Sequence, residues 1–385
     1  MFLLARELRE RHGLDVEVWA LLYEGEYIEE FESAGVPTRA LEFRFPRCPV
    51  RLVRLLYWIM RLWKVAGQLR QARVRILLPF TTYPNIVAGL TYRLAGVQLC
   101  IWGERQAGSE RAAGVERIAL KQYRRFVANS TAGVEFLAGE MRVPRERISF
   151  VPNGVEDAKI DSEENWRTNL GLEPGQLLVI KVANITRFKD HATLVRAWKI
   201  VQDAWSGDNR PVLALAGYCA EAYDHCHRFL VESGWDSTVR FLGSIENVST
   251  LIQASDIAAF SSRNEGMPNG VLECMAAGKA IVATDIPGIR DAMGPNAGGV
   301  LVPPGDAERF AATLLNLLRD KEKRDELGAA NLARIRAEFS VERMVQRHLK
   351  IIQTSLPKRS QKRQGKTALD KLPDSTGKPF HGSSN

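Results

Sequence analysis

Short runs of β-branched and other apolar residues recur along the chain, most of them separated by helical patterns of about 8–20 residues. This alternation constrains the fold more than any other feature. The runs fall at residues 15–21, 39–43, 74–80, 98–102, 125–128 and 148–152, then at 177–183, 212–217, 239–242, 257–261, 280–284 and 299–302. Strand, helix, strand at this spacing leads to parallel sheets covered on both faces. Twelve strands in 385 residues suit two doubly wound domains better than one large sheet. The expected fold class is therefore α/β, with two Rossmann-like domains.

The turn tripeptide Pro152-Asn153-Gly154 and the acidic stretch 157–164 place the division, giving a first domain over 1–152 and a second over 153–338. Ser340 is a good N-cap for a last amphipathic helix, with Val341, Met344, Val345, Leu349 and Ile352 on one stripe. Residues 357–385 are rich in Lys, Arg, Ser, Gly and Pro with little apolar content, so a disordered basic tail is expected there. A Rossmann-like domain opens with a strand and a Gly-rich turn. Here Phe2 to Leu8 already reads as the helix that should follow, with Gly13 as its stop. The first domain is thus expected to lack its first strand and Gly-rich turn.

Five cysteines, at 48, 100, 219, 226 and 274, are too few and too scattered for a disulfide framework. They point to a reducing, cytoplasmic compartment. No run of about 18 apolar residues is present to span a membrane. The opening residues hold too short an apolar run for a signal peptide.

The net charge of +8 is unevenly placed. Residues 1–150 hold 23 basic and 16 acidic groups, residues 151–355 hold 23 and 27, and residues 356–385 hold 7 and 2. Between Phe43 and Gly103 there are ten Arg or Lys and no acid. In that stretch Arg44, Arg47, Arg51, Arg54, Arg61, Lys64 and Arg70 interleave with Leu52, Leu55, Tyr57, Trp58, Ile59, Leu62 and Trp63. Such a helix can lie on an anionic membrane surface through residues 44–75, or be a core helix with a solvated cationic face. The third reading, nucleic acid, lacks any accompanying recognition motif and is set aside.

The strongest site signal runs from Ser261 to Gly278. It follows an apolar strand, turns through Gly266 and Pro268, and enters a short helix whose first turn should contain Pro268. A helix N-terminus there offers free N–H groups and a positive dipole end, a seat for phosphate. Glu265 lies before the helix and Glu273 within it, and two carboxylates so placed can accept hydrogen bonds from two sets of hydroxyls. Upstream, Arg187 and Lys189 follow another strand and can neutralise a diphosphate. Taken singly, each of these charges is as readily an ordinary surface group. The cluster Cys219, Asp224, His225, Cys226 and His227 fits no usual zinc spacing, since the two His point about 200° apart on a helix.

Glu265 and Glu273, in the setting EGMPNGVLECMAAGKAIVAT, resemble the signature of glycosyltransferase family 4, retaining enzymes of the GT-B fold with two Rossmann-like domains facing a cleft. The likeness continues through ANSTAGVEFL, ISFVPNGV, VANITRFKDHATLVRAW, LAGY, VRFLGS and PGIRDAM, in that order. It implies that Glu273 holds the ribose hydroxyls of a nucleotide-diphosphate sugar and Glu265 the hydroxyls of the transferred sugar. Backbone groups at Gly266, Met267 and Asn269 would contact sugar or diphosphate, and Lys189 with Arg187 would stabilise the leaving group. The resemblance implies no metal or other cofactor, in line with the lack of an Asp-x-Asp. It also implies that segment 339–356 packs back on the first domain.

Ala183-Asn184 stands where the family commonly has Gly-Arg, which puts Asn184 on the donor side and leaves Arg187 to supply the second cation. Where the family often places an acceptor-side His, Trp102-Gly103-Glu104-Arg105 occurs, so Glu104 and Arg105 are the acceptor-side candidates. The implied acceptor is a glycan or lipid-linked precursor in polysaccharide or glycolipid biosynthesis. The other readings are a catalytically impaired or truncated nucleotide-sugar-binding homologue, and a nucleotide-sugar epimerase of the same fold.

Overall fold

In a computed structural model of the protein, residues 1–22, 27–43, 49–105, 113–156, 164–297 and 299–356 are described. The acidic stretch 157–163, Arg44 and Arg47, and the tail 357–385 lie outside them.

The chain divides into two compact units. One comprises Met1–Asn129, Gly133–Val151 and the chain from Val341 onward, and the other comprises Ser130–Ala132 and Pro152–Ser340. The first unit carries α1 (Phe2–Glu10), β1 (Val18–Ala20), α2 (Tyr27–Ser33), β2 (Thr38–Ala40), α3 (Arg51–Gln71), β3 (Ile76–Leu77) and α4 (Thr82–Ala95). It continues with β4 (Leu99–Glu104), α5 (Ala113–Leu120), β5 (Arg125–Ala128), α6 (Thr131–Gly139, its start assigned to the other unit) and β6 (Ile148–Phe150). β3, β4, β5 and β6 form a four-stranded sheet in that order, and β1 pairs with β2. Every pair is parallel. β4 is buried at all six residues, which is why it reads as a continuous apolar run rather than an alternation.

The second unit holds α7 (Trp166–Asn169), β7 (Leu178–Val182), α8 (His191–Asp203), β8 (Val212–Ala216), α9 (Tyr223–Ser233), β9 (Val239–Gly243) and α10 (Val248–Ala254). It continues with β10 (Ile257–Phe260), α11 (Asn269–Ala276), β11 (Ala280–Thr284), α12 (Pro287–Met293), β12 (Leu301–Val302), α13 (Ala307–Arg319) and α14 (Lys321–Glu338). Its six strands run β12-β11-β10-β7-β8-β9, all parallel. From β7 the chain winds one way to β9, then returns to β10 and winds the other way to β12. The reversal falls between β7 and β10, and in open α/β sheets ligands bind at the carboxyl ends of the strands flanking such a point.

A last helix, α15 (Val341–Ser355), belongs to the first unit. Its stripe of Val341, Met344, Val345, Leu349 and Ile352 is buried in one cluster with Leu4 and Leu8 of α1 and Leu99 and Ile101 of β4. Burying each such side chain contributes on the order of 1.5–3 kcal/mol, enough to hold the helix there.

The long basic helix α3 packs one stripe on the core and leaves a second apolar face outside it. Only Val65, Ala66 and Leu69, in its last two turns, are buried. Upstream, Trp58 and Leu62 are half-buried against the same core, while Leu52, Leu55, Leu56, Ile59, Met60 and Trp63 face outward, from 43 % exposed at Ile59 to 65 % at Leu52. No helix among the described residues is long and apolar enough to cross a membrane.

Candidate functional site

Two loops at the reversal point carry the candidate residues. After β7, a 3-10 turn spans Arg187–Lys189 and ends at Asp190 in the left-handed region, φ 47°. Asp190 then caps α8, accepting from Thr193 N and, at 2.8 Å, from Thr193 Oγ1. A short side chain that bonds its own backbone tolerates this conformation. The second loop, from Ser261 to Pro268, joins β10 to α11. Pro268, expected within the first turn, stands just outside the helix as its N-cap because its ψ of 120° is extended.

The loops meet through their side chains. Lys189 Nζ lies 2.5 Å from Glu265 Oε1, with side-chain exposures of only 30 % and 11 %. Ser262 Oγ donates to the same oxygen at 2.9 Å. Sequence separation of 76 residues hid this pair from any spacing argument. It is a half-buried cation and carboxylate side by side, able to offer positive charge to an anion and acceptor oxygens to hydroxyls.

Glu273, in α11, has no hydrogen-bond partner among the described residues, and burial pushes its carboxyl above the usual range. A half-buried carboxylate without a side-chain partner is poised to accept from a ligand hydroxyl. Met267 is buried and Asn269 exposed at the helix start. Asn153 donates through Nδ2 to Met267 O at 3.1 Å and to Asn269 Oδ1 at 2.9 Å, fixing the loop from the side. The sequence marked Asn153 only as part of a turn.

Two close backbone approaches set the geometry. A Cβ on Gly270 would stand 2.7 Å from Val182 O, so α11 starts against the end of β7. A Cβ on Gly288, in α12, would stand 1.4 Å from Gly266 O. The loop bearing Glu265 thus rests directly on α12.

Arg187 is exposed, and its backbone N–H donates to Glu221 Oε1 at 3.0 Å. Its guanidinium is not brought onto Glu265. Asn184 is exposed as well, and its Oδ1 accepts from Tyr218 N at 3.0 Å, tying the ends of β7 and β8. His191 opens α8 fully buried, and burial, with Lys181 and Lys189 nearby, depresses its pKa to about 2, so it stays neutral. Among the described residues no group of three or more His, Cys, Asp or Glu could hold a metal ion, the cluster around His225 included.

In the first unit Glu104 ends β4 and is buried, accepting from Trp102 Nε1 at 3.3 Å. The Arg105 guanidinium lies 4.6 Å from the Phe80 ring centre, and burial lowers its pKa to about 10. Asn85 of α4 bonds both backbone groups of Gly103, at 2.8 and 3.1 Å, and so stands in for a strand neighbour at the end of β4.

Two parallel α/β units, the second with a cation–carboxylate pair at its reversal point, define a protein of the GT-B fold class. Comparison agrees. HepE from Anabaena, solved with UDP and glucose, superposes with a TM-score of 0.78 at 18% identity, over 92% of this chain and 94% of that one. Residues 1–159 match the profile described as Glycosyltransferase Family 4, and residues 176–320 that described as Glycosyl transferases group 1. A 2-deoxystreptamine N-acetyl-D-glucosaminyltransferase from Streptomyces fradiae is 23% identical over 85% of this chain and 83% of its own. A D-inositol 3-phosphate glycosyltransferase from Nocardia farcinica is 26% identical over 73% of this chain and 62% of its own. The chain belongs to the family 4 glycosyltransferases, and it is a glycosyltransferase of glycoconjugate biosynthesis.

Proposed function

We propose that the second unit binds a uridine-diphosphate sugar and that the enzyme transfers the sugar, with retention of configuration, to a glycan or lipid-linked acceptor bound by the first unit. The observation that carries the reading is the Lys189–Glu265 pair at the switch point of the sheet. Lys189, with Arg187 from the same turn, balances the charge that grows on the departing diphosphate, and Glu265 accepts from the hydroxyls of the transferred sugar. Glu273 takes the ribose hydroxyls, and the backbone at Gly266, Met267 and Asn269 lines the sugar and diphosphate. HepE, solved with UDP, with UDP and glucose, and with UDP-glucose, supports the choice of uridine. Two side-chain cations serve the diphosphate, so turnover is proposed to persist in EDTA; a loss restored by Mg²⁺ would overturn that part. Melting the protein against a panel of nucleotide sugars tests the donor. A true donor at about 100 times its dissociation constant adds about 2.7 kcal/mol, and a panel without any shift removes the reading.

The acceptor side rests on α3. Its outward Leu52, Leu55, Leu56, Ile59, Met60 and Trp63 accompany Arg51, Arg54, Arg61 and Lys64 in a stretch free of acids. An outward apolar face accompanied by cations, of which, among the described residues, only Lys64 has a carboxylate beside it (Glu42, 3.8 Å), suits an anionic lipid surface, as on the cytoplasmic face of a membrane, and a lipid-linked acceptor would be met there. Sedimentation with vesicles containing phosphatidylglycerol should weaken when these four cations become Gln. Unchanged sedimentation, or none by the unaltered protein, rejects the membrane.

A further inference from the structure

Beneath the candidate site lies a charge that no role above explains. Lys181, fourth residue of β7, has 0 % exposure and is the only fully buried lysine among the described residues. Around it β7 is Leu, Val, Ile and Val. Dropping an ammonium into such surroundings is costly unless its donors are used. They are. Lys181 Nζ donates to the backbone carbonyl of Lys189 and, at 2.8 Å, to Ser261 Oγ.

These two acceptors sit on the two loops of the site, one after β7 and one after β10. Ser261 Oγ donates onward to Asp190 O at 2.8 Å. Arg263 closes the circuit from the other side, its Nε 2.9 Å from Asp190 Oδ2 and its N–H 2.8 Å from Phe188 O. The carbonyl held by Lys181 belongs to the residue whose side chain meets Glu265. The two donations are open to the lysine both as ammonium and as amine, so the anchor does not depend on its charge.

We propose that Lys181 is a positioning residue of the transferase, anchoring the Lys189 backbone from inside the sheet so that the Lys189 ammonium is presented to the diphosphate of the donor. The proposal rests on the reading of Lys189 as the diphosphate cation. Lys181 itself never meets ligand. An apolar residue would fill the same space without a desolvation cost, so stability alone does not account for a lysine here.

Calorimetry with UDP and UMP tests the proposal, because only UDP offers the terminal phosphate. Wild type should prefer UDP, and Lys189→Met should lose that preference. Lys181→Met should reduce the UDP-over-UMP preference by about tenfold, the weight of about one hydrogen bond, with UMP affinity unchanged and melting temperature not lowered. Ser261→Ala, which removes one of the two anchors without touching the lysine, should reduce the preference less, and it serves if Lys181→Met does not fold. An unchanged preference in either folded variant, or equal loss of UDP and UMP, overturns the positioning role while leaving Lys189 in place. A wild type that binds UDP no better than UMP, or a Lys189→Met that keeps the preference, removes the parent reading and this one with it.

Discussion

Replacing Gly288 by alanine sets a methyl group where backbone already stands. Its Cβ would lie 1.4 Å from Gly266 O, 2.6 Å from Gly266 C and 2.8 Å from Glu265 O. Carbon and oxygen approach to about 3.3 Å, so helix and loop must separate by roughly 2 Å. The helix cannot yield easily, since Ile289, Ala292 and Met293 of α12 are packed in the core. The loop must move, and Glu265 with it. Overpacking of this kind costs about 1–3 kcal/mol, which lowers the melting temperature by roughly 2–12 °C for a unit of this size. A catalytic group displaced by about 1 Å loses on the order of a hundredfold in rate. Gly288→Ala should therefore melt several degrees early, as read by scanning calorimetry, and release UDP from its donor at least about a hundredfold more slowly. Wild-type melting together with wild-type turnover would refute the inference that α12 seats the Glu265 loop.

Lys189→Ala and Glu265→Ala should each reduce turnover by about two orders of magnitude or more with little change in melting temperature, and full activity in both would remove the site assignment. Because burial raises the Glu273 carboxyl, the donor dissociation constant should climb on acidification before the ordinary carboxylates protonate; a Glu273→Gln variant should bind weakly and without that dependence, and a matching pH curve in the two proteins contradicts the ribose role. Burial lowers Lys181 to about 7, against the opposing pull of Glu265 and Asp190, with Lys189 and Cys226 also facing it. Between that value and the ordinary lysine range the unfolded chain binds more protons than the folded one, so this group makes stability rise with pH there. Urea titrations at pH 6.5 and 9.5 should show that rise shrink in Lys181→Met; equal rises would mean that Lys181 does not titrate in this window.

The strand positions were legible in part because parallel strands buried on both faces must be apolar throughout. Residues 212–217 and 280–284 stand out for that reason, and both are fully buried where they form β8 and β11. Register and the place where winding reverses leave no local trace. The sequence marked Glu265, Glu273 and Lys189 by their places on loops after strands and by a family resemblance, but the contact between Lys189 and Glu265 is a product of the sheet bringing β7 beside β10. Lys181 was hidden in another way. A single lysine in an apolar run reads as a strand-edge charge, and only the acceptors around it reveal a use. For α3 the ambiguity was intrinsic, since a helix packed on a core and one facing a membrane share the same periodicity.

Because α15 shares a hydrophobic cluster with α1 and β4, the first unit is finished by a helix made after the whole second unit. On the ribosome its Leu4, Leu8, Leu99 and Ile101 emerge early and wait while residues 152–340 are added, about 10–40 s at ordinary translation rates. Throughout that interval the seat of Val341, Met344, Val345, Leu349 and Ile352 stands unfilled. The second unit, continuous apart from three residues, can close first. The unit that is begun first is therefore completed only after the one that follows it in the chain.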